Sequence, residues 1–165
     1  MSGLYRKLRA NGLIIRLLLI PVFVAVCHLY SWMWLRVLTT ITLVKLSEAL
    51  GIPMYRVGLD LAQVAGVTVQ FVVSCTMIDA FCGAIPLLWR ATISWPQNLA
   101  RLALVFAGVF VLNIVRLELG FIVMTKGVPW WLAHECVAGV AYFCLYAFIV
   151  QQRGWAGEQS SPLMA

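Results

Sequence analysis

Between Arg16 and Arg36 the chain runs for 19 residues, Leu17 to Leu35, without a formal charge. About 20 apolar residues at 1.5 Å rise cross the ~30 Å hydrocarbon core of a bilayer, so this run predicts a membrane-spanning helix. Composition agrees, because 63% of the residues are hydrophobic, only 11% are charged and the mean hydropathy is +0.95. A soluble domain carries roughly 25% charged residues. A basic start followed by an apolar run also describes a secretion signal. This run is too long for one, and no small-residue cleavage site follows it before Arg36, so it is expected to stay as the first span.

The formal charge of +6 reads as membrane topology rather than nucleic-acid binding. Arg6, Lys7, Arg9 and Arg16 crowd the N-terminus, which the positive-inside rule places in the cytoplasm. With the spans below, Arg90, Arg101 and Arg153 fall on the same side, while Arg36, Lys45, Arg56 and Lys126 fall outside. The expectation is an inner-membrane, multi-pass protein with both termini cytoplasmic and the lipid bilayer as its surroundings.

Four spans fit the hydropathy, so the expected fold is an all-α integral membrane protein. The first covers about Leu13 to Leu35, with Pro21 bending it. The second runs from near Cys75 to Trp89, with Ser74 or Thr76 available to cap its first turn. Trp95 to Asn98 reads as a turn. The third span runs from about Leu99 to Met124, interrupted by Arg116 and Glu118, and the fourth covers Trp130 to Val150. An amphipathic outer-face helix is expected over Val37 to Leu50, from Leu43, Leu46 and Leu50, and is ended by Gly51, Ile52 and Pro53. Between Met54 and Ser74, Val57, Leu59 and Leu61, then Val67, Val69, Phe71 and Val73, alternate about Gly66. This period-two pattern is the signature of a β-hairpin. Residues 1–150 thus read as one membrane-embedded domain, and 151–165 as a polar, unstructured tail.

Five cysteines (Cys27, Cys75, Cys82, Cys136 and Cys144) are an odd number without CxxC spacing, which argues against a zinc site or a disulfide framework. No cofactor or metal is expected. The topology places Cys75, Arg116 and His134 at similar depth toward the outer face on three different spans. A thiol needs a base or a positive potential to become a nucleophile. The start of the second span, Arg116 and His134 offer both. In acyl transfer His134 would shuttle the proton and Arg116 would stabilise the oxyanion. Asp79, four residues after Cys75, would orient Arg116 or His134, or neutralise Arg116.

Each residue also has a plainer reading. Cys75 can be a packed core cysteine, Arg116 a structural partner of Glu118 or Asp79 or a snorkelling side chain, and His134 an interfacial histidine beside Trp130 and Trp131. His28 is left structural, with no partner visible in the sequence. Cys82, two helical turns deeper, is the competing nucleophile. Cys136 stands two residues from His134, on a different helical face.

The pattern resembles the exosortase/archaeosortase family of membrane-embedded cysteine transpeptidases. The residues that carry the resemblance are Cys75-Thr76, Asn113-Ile114-Val115-Arg116 and His134 with Gly139 downstream, preceded by Leu46 to Met54 and Val72-Val73-Ser74. They lie within roughly residues 40–145. Family members commonly have glycine soon after the Cys-Ser/Thr pair, where this chain has Met77, with Gly83 well downstream. They also carry additional spans before this core, so the resemblance is to a compact, divergent member. It implies cleavage of a C-terminal sorting signal on exported proteins, made of a short motif, a transmembrane helix and a basic cluster, with transfer to an acceptor. It also implies Cys75, Arg116 and His134 as catalytic residues, with Thr76 and Asn113 in support. The alternative is a non-catalytic membrane assembly or export partner. A small transporter fits less well, for want of an inverted repeat and polar residues lining a path.

Overall fold

A computed structural model of the chain describes residues 2–158. The side chains of Arg6, Lys7, Arg9, Cys136 and Arg153 lie outside the described residues, as do residues 159–165 of the expected tail. The elements are α1 (Ser2–His28), α2 (Met33–Ala49), β1 (Met54–Arg56), β2 (Leu61–Val64), β3 (Val67–Gln70), a 3₁₀ turn (Val73–Thr76), α3 (Ile78–Leu88), α4 (Trp95–Thr125), a π-helical turn (Leu132–Cys136) and α5 (Val137–Glu158). The fold is mostly helical with one small sheet.

The first apolar run does not form a single rod. α1 passes through Pro21 and stops at His28, and α2 begins at Met33, turned 84° from the segment Gly12–His28. Trp32 makes the corner. Its backbone is left-handed (φ 50°) and its indole Nε1–H donates to the Cys27 carbonyl at 2.9 Å, satisfying one of the orphan acceptors at the end of α1. α2 therefore takes in Met33 to Leu35, which hydropathy assigns to the first span. Its buried stripe is Leu35, Thr39, Thr40, Leu43 and Ser47, while Leu50 is exposed.

Among the described residues α4 alone is, by itself, long and apolar enough to cross a membrane, and the bent α1–α2 pair passes that test only if its two arms count as one span. The expected second span shrinks to the eleven residues of α3, about 16 Å of helix. The segment Leu132–Phe148 is likewise a shorter apolar helix. Four full-length spans are not seen. Trp95 to Asn98, expected as a turn, is instead the first turn of α4. The Ser94 N–H donates to Gln97 Oε1 at 3.1 Å, as in a capping box, and Pro96 stands where a helix has no use for its missing N–H. α5 continues to Glu158 rather than stopping at Val150.

The hairpin is present and is joined by a strand that the alternation does not reveal. β2 and β3 pair antiparallel from Leu61↔Gln70 to Val64↔Val67, and β1 adds on the other side of β2. Ala65 (φ 50°) and Gly66 (φ 79°) form the two-residue connection, the left-handed pair that matches the twist of a tight hairpin. The buried face carries Met54, Ala62 and Val64, whereas Val57 and Leu59 point outward from the β1–β2 loop. Arg36 of α2 holds the sheet by donating to the Phe71 carbonyl at 2.6 Å and pairing with Asp60. Together α2, the sheet and α4 enclose a core of Leu43, Met54, Ala62, Val64, Phe71, Ile114, Leu117 and Phe121, and Cys75 belongs to it.

α3 is locked between α1 and α5. Arg16 donates to the carbonyls of Pro86 and Trp89, at 2.8 and 2.7 Å, capping the C-terminal end of α3. Gly83 lies directly beneath Tyr146, Val24 and Ile20, where a Cβ would collide with the tyrosine hydroxyl. The Tyr146 hydroxyl in turn donates to the Ala80 carbonyl at 2.9 Å.

Candidate active site

Cys75 sits in the 3₁₀ turn between the sheet and α3, ahead of the apolar helix. The turn is closed by Thr76, whose hydroxyl donates to the Val73 carbonyl at 2.7 Å and accepts from the Ile78 N–H at 3.4 Å. The chain then enters α3 through Met77, left-handed at φ 53°. Cys75 is 6% exposed. Burial pushes its thiol above the ordinary value, and a backbone hydrogen bond at Val72 and the Arg116 guanidinium pull it part of the way back.

Three elements meet at this turn. From the π-helical turn, His134 brings Nε2 to 3.9 Å from Cys75 Sγ. Long sulfur–nitrogen contacts of this kind are normal before substrate tightens a site. From α4, Asn113 donates Nδ2–H to the Cys75 carbonyl at 2.8 Å, and its Oδ1 accepts from Arg116 Nη2 at 2.9 Å and Nε at 3.3 Å. One asparagine thus fixes both the cysteine backbone and the guanidinium. Arg116 is 6% exposed, and its Nη1 is buried with no partner among the described residues. A buried, unpartnered cationic N–H is costly, and it is also a donor ready for an incoming oxygen.

On the far side of the imidazole, Nδ1 meets Glu135 Oε1 at 3.1 Å. His134 itself is buried, whereas the Glu135 side chain is 73% exposed. A histidine with one nitrogen on a carboxylate and the other on a thiol has its tautomer fixed in the sense a general base requires. Glu135 is not found by reasoning from helical faces, because neighbouring residues on a helix point apart. The local signal is the π-helical turn, a rare feature that often marks functional sites and that no hydropathy pattern announces.

The chain matches no family model, no curated protein and no solved structure.

The structure brings together Cys75, Asn113, Arg116 and His134, with Thr76 shaping the turn. Asp79 hydrogen-bonds elsewhere, although its charge acts on both Cys75 and Arg116. Its carboxylate accepts from the Tyr142 hydroxyl at 2.9 Å and from its neighbour's Ala80 N–H at 2.8 Å, and lies 3.6 Å from His28 Nε2. Asp79 therefore has partners other than Arg116 and His134, and His28 has a partner that the sequence does not show. Glu118 leaves Arg116 alone, taking the Ser47 hydroxyl instead. Cys82 packs with Cys27, Leu35 and Ile78. Among the described residues the thiol facing the imidazole is that of Cys75. An open apolar groove of about 460 Å³ between α4 and α5, walled by Met77, Leu112, Val140 and Phe148, reaches Arg116.

Proposed function

We propose that this chain is a membrane-embedded cysteine protease or transpeptidase of the exosortase/archaeosortase type. In this reading the four apolar helices α1, α3, α4 and α5 lie in the bilayer of the inner membrane. Both termini are cytoplasmic, and α2, the sheet and the Cys75 turn face outward. The substrate is an exported protein with a C-terminal transmembrane sorting signal. The observation that carries the proposal is the 3.9 Å contact between Cys75 Sγ and His134 Nε2, residues 59 apart in sequence, with Asn113 tying the same cysteine to Arg116.

The chemistry follows from these groups. His134 Nε2 takes the proton from Cys75 Sγ as the sulfur attacks the scissile carbonyl carbon. The carbonyl π pair moves to oxygen, where the free Nη1–H of Arg116 supplies the charge-assisted donor. The oxyanion then collapses, the C–N bond breaks and the imidazolium returns its proton to the leaving amine. This leaves a thioester on Cys75, which an acceptor nucleophile or water opens with His134 again removing the proton. Glu135 holds the other ring nitrogen and steadies the imidazolium while it exists.

The test is processing of a co-expressed, tagged candidate substrate by wild type, Cys75→Ala and Cys82→Ala at matched membrane levels. Loss in Cys75→Ala alone is expected. Loss only in Cys82→Ala moves the chemistry to α3, and processing by both variants removes the cysteine mechanism. The non-catalytic reading, an assembly or export partner, predicts that Cys75→Ala remains functional.

A further inference from the structure

Three aromatic rings lead through the molecule to the imidazole. Phe71, just after β3, meets Phe121 of α4 edge-on at 6.1 Å between ring centroids. Phe121 stacks on Trp130 at 4.7 Å and 16°. Trp130 stacks on His134 at 4.7 Å and 28°. Under this ladder α4 carries Gly120, and a Cβ built there would lie 3.7 Å from Trp130 Cζ3 and 3.8 Å from the Ala133 carbonyl. The indole therefore stacks both on Phe121 of α4 and on the imidazole, and its edge passes close to Gly120.

We infer that Trp130 is the positioning residue of the site, its indole face fixing the plane of the His134 ring so that Nε2 points at Cys75 Sγ. The inference rests on the thiol–imidazole reading above. At 3.9 Å the contact stands at the outer limit of a sulfur hydrogen bond, so a modest swing of the ring breaks it. Glu135 holds only Nδ1 and is largely exposed, which leaves the ring plane to the stack. The same face favours the imidazolium once it forms, through the quadrupole of the indole. The charged and titratable groups around the ring are Cys75 from the 3₁₀ turn, Arg116 from α4 and Glu135 on its own turn. The neighbouring Trp131 points outward and is 64% exposed, which makes it a control of the same residue type.

The experiment needs no substrate. The rate at which iodoacetamide alkylates Cys75 is followed by site-resolved mass spectrometry across pH. The full-length protein is compared with His134→Ala, Trp130→Ala, Trp130→Phe, Trp130→Leu and Trp131→Ala. In wild type the pH profile carries the imprint of the imidazole, and His134→Ala moves its midpoint to more alkaline pH. Trp130→Ala is expected to move the midpoint the same way and to slow alkylation at neutral pH about threefold to tenfold, the worth of one aromatic pair. Trp130→Phe restores the profile because it keeps a ring face, Trp130→Leu does not, and Trp131→Ala changes nothing. If Trp130→Leu restores the profile as well as Trp130→Phe, the indole acts by volume alone and the inference falls. It falls too if Trp130→Ala keeps the wild-type midpoint while His134→Ala shifts it, an outcome that leaves the thiol–imidazole pair standing. If His134→Ala leaves the midpoint in place, the pair itself is wrong and the positioning role goes with it. Alkylation of Cys27, buried in a separate cluster, reports whether any variant has loosened the whole fold.

Discussion

α4 carries two opposite charges two residues apart, Arg116 and Glu118, both almost fully buried at 6% and 3% exposure, and they do not pair. Two positions on a helix are turned by about 200°, so the charges face different halves of the molecule. Arg116 looks toward the Cys75 turn. Two of its nitrogens are held by Asn113 and the third has no partner among the described residues. Glu118 looks toward α2, where both carboxylate oxygens share the single hydroxyl of Ser47 at 2.8 and 3.0 Å. On the Arg116 face, polar groups outnumber their partners around a thiol and an imidazole. On the Glu118 face, one carboxyl and one hydroxyl are closed in by the Leu43, Met54 and Leu117 core. The first arrangement leaves a donor for something else to use, and the second leaves nothing over. The two faces should therefore respond differently to substitution.

The largest difference is expected in processing. Arg116→Lys keeps the charge but loses the planar fork that reaches Asn113 while aiming a third N–H elsewhere. Processing of the tagged substrate should fall about 10²- to 10³-fold, the scale of a lost oxyanion donor, with the amount of folded protein unchanged. Glu118→Gln keeps an acceptor for Ser47 and removes an ionisable group from the core, so processing should match wild type and resistance to unfolding should not fall. If Glu118→Gln cripples processing as strongly as Arg116→Lys, the division of α4 into a chemical face and a packing face is wrong.

A smaller effect concerns stability and separates the partners of the two charges. Asn113→Ala strips the acceptor from Arg116 and the donor from the Cys75 carbonyl, and Ser47→Ala strips from Glu118 the donor it has among the described residues. Each leaves buried polar groups unsatisfied, at about 1–3 kcal/mol apiece, measurable by SDS unfolding in mixed micelles. Both variants should be destabilised. Only Asn113→Ala should also lose processing beyond what its folded fraction explains, because only Asn113 touches the cysteine.

Parts of this division are legible in the sequence. The order Cys75, Arg116, His134 on successive apolar segments put a thiol, a cation and an imidazole at one level, and the structure groups them. The Ala65-Gly66 turn was marked by alternation about a glycine. What stayed hidden depends on side-chain direction and long-range contact, which hydropathy does not encode. Asn113 came into view only through a motif, and its double hydrogen bond depends on where α4 crosses the 3₁₀ turn. Asp79 stands four residues after Cys75, a spacing that suggests a shared helical face, yet Cys75 lies in a 3₁₀ turn before α3 and Tyr142 and His28 take the carboxylate. β1 is three residues long and reads as loop until β2 is there to pair with it. The break between α1 and α2 hides inside an uncharged run, because Trp32 closes it with an indole hydrogen bond rather than with the glycine or proline a reader looks for.

The smallest predicted effect lies at Met77, on the Arg116 side of the molecule, where this chain departs from the resembled family's glycine. Its backbone is left-handed at φ 53° while its side chain is buried at 4% exposure. These two facts pull a substitution in opposite directions. Truncating a buried methionine costs roughly 2–5 kcal/mol, whereas a left-handed backbone costs any residue with a Cβ about 1–2 kcal/mol that glycine does not pay. Neither Met77→Gly nor Met77→Ala alone separates the terms, but both remove nearly the same side chain and differ in the backbone term. Met77→Gly should therefore be less stable than wild type yet more stable than Met77→Ala by about 1 kcal/mol, even though glycine is the more flexible residue in the unfolded chain. If Met77→Ala proves the more stable of the two, the entry into α3 is not left-handed in the native protein. The methionine would then be an ordinary helix residue rather than one holding a glycine's conformation for the sake of its packing.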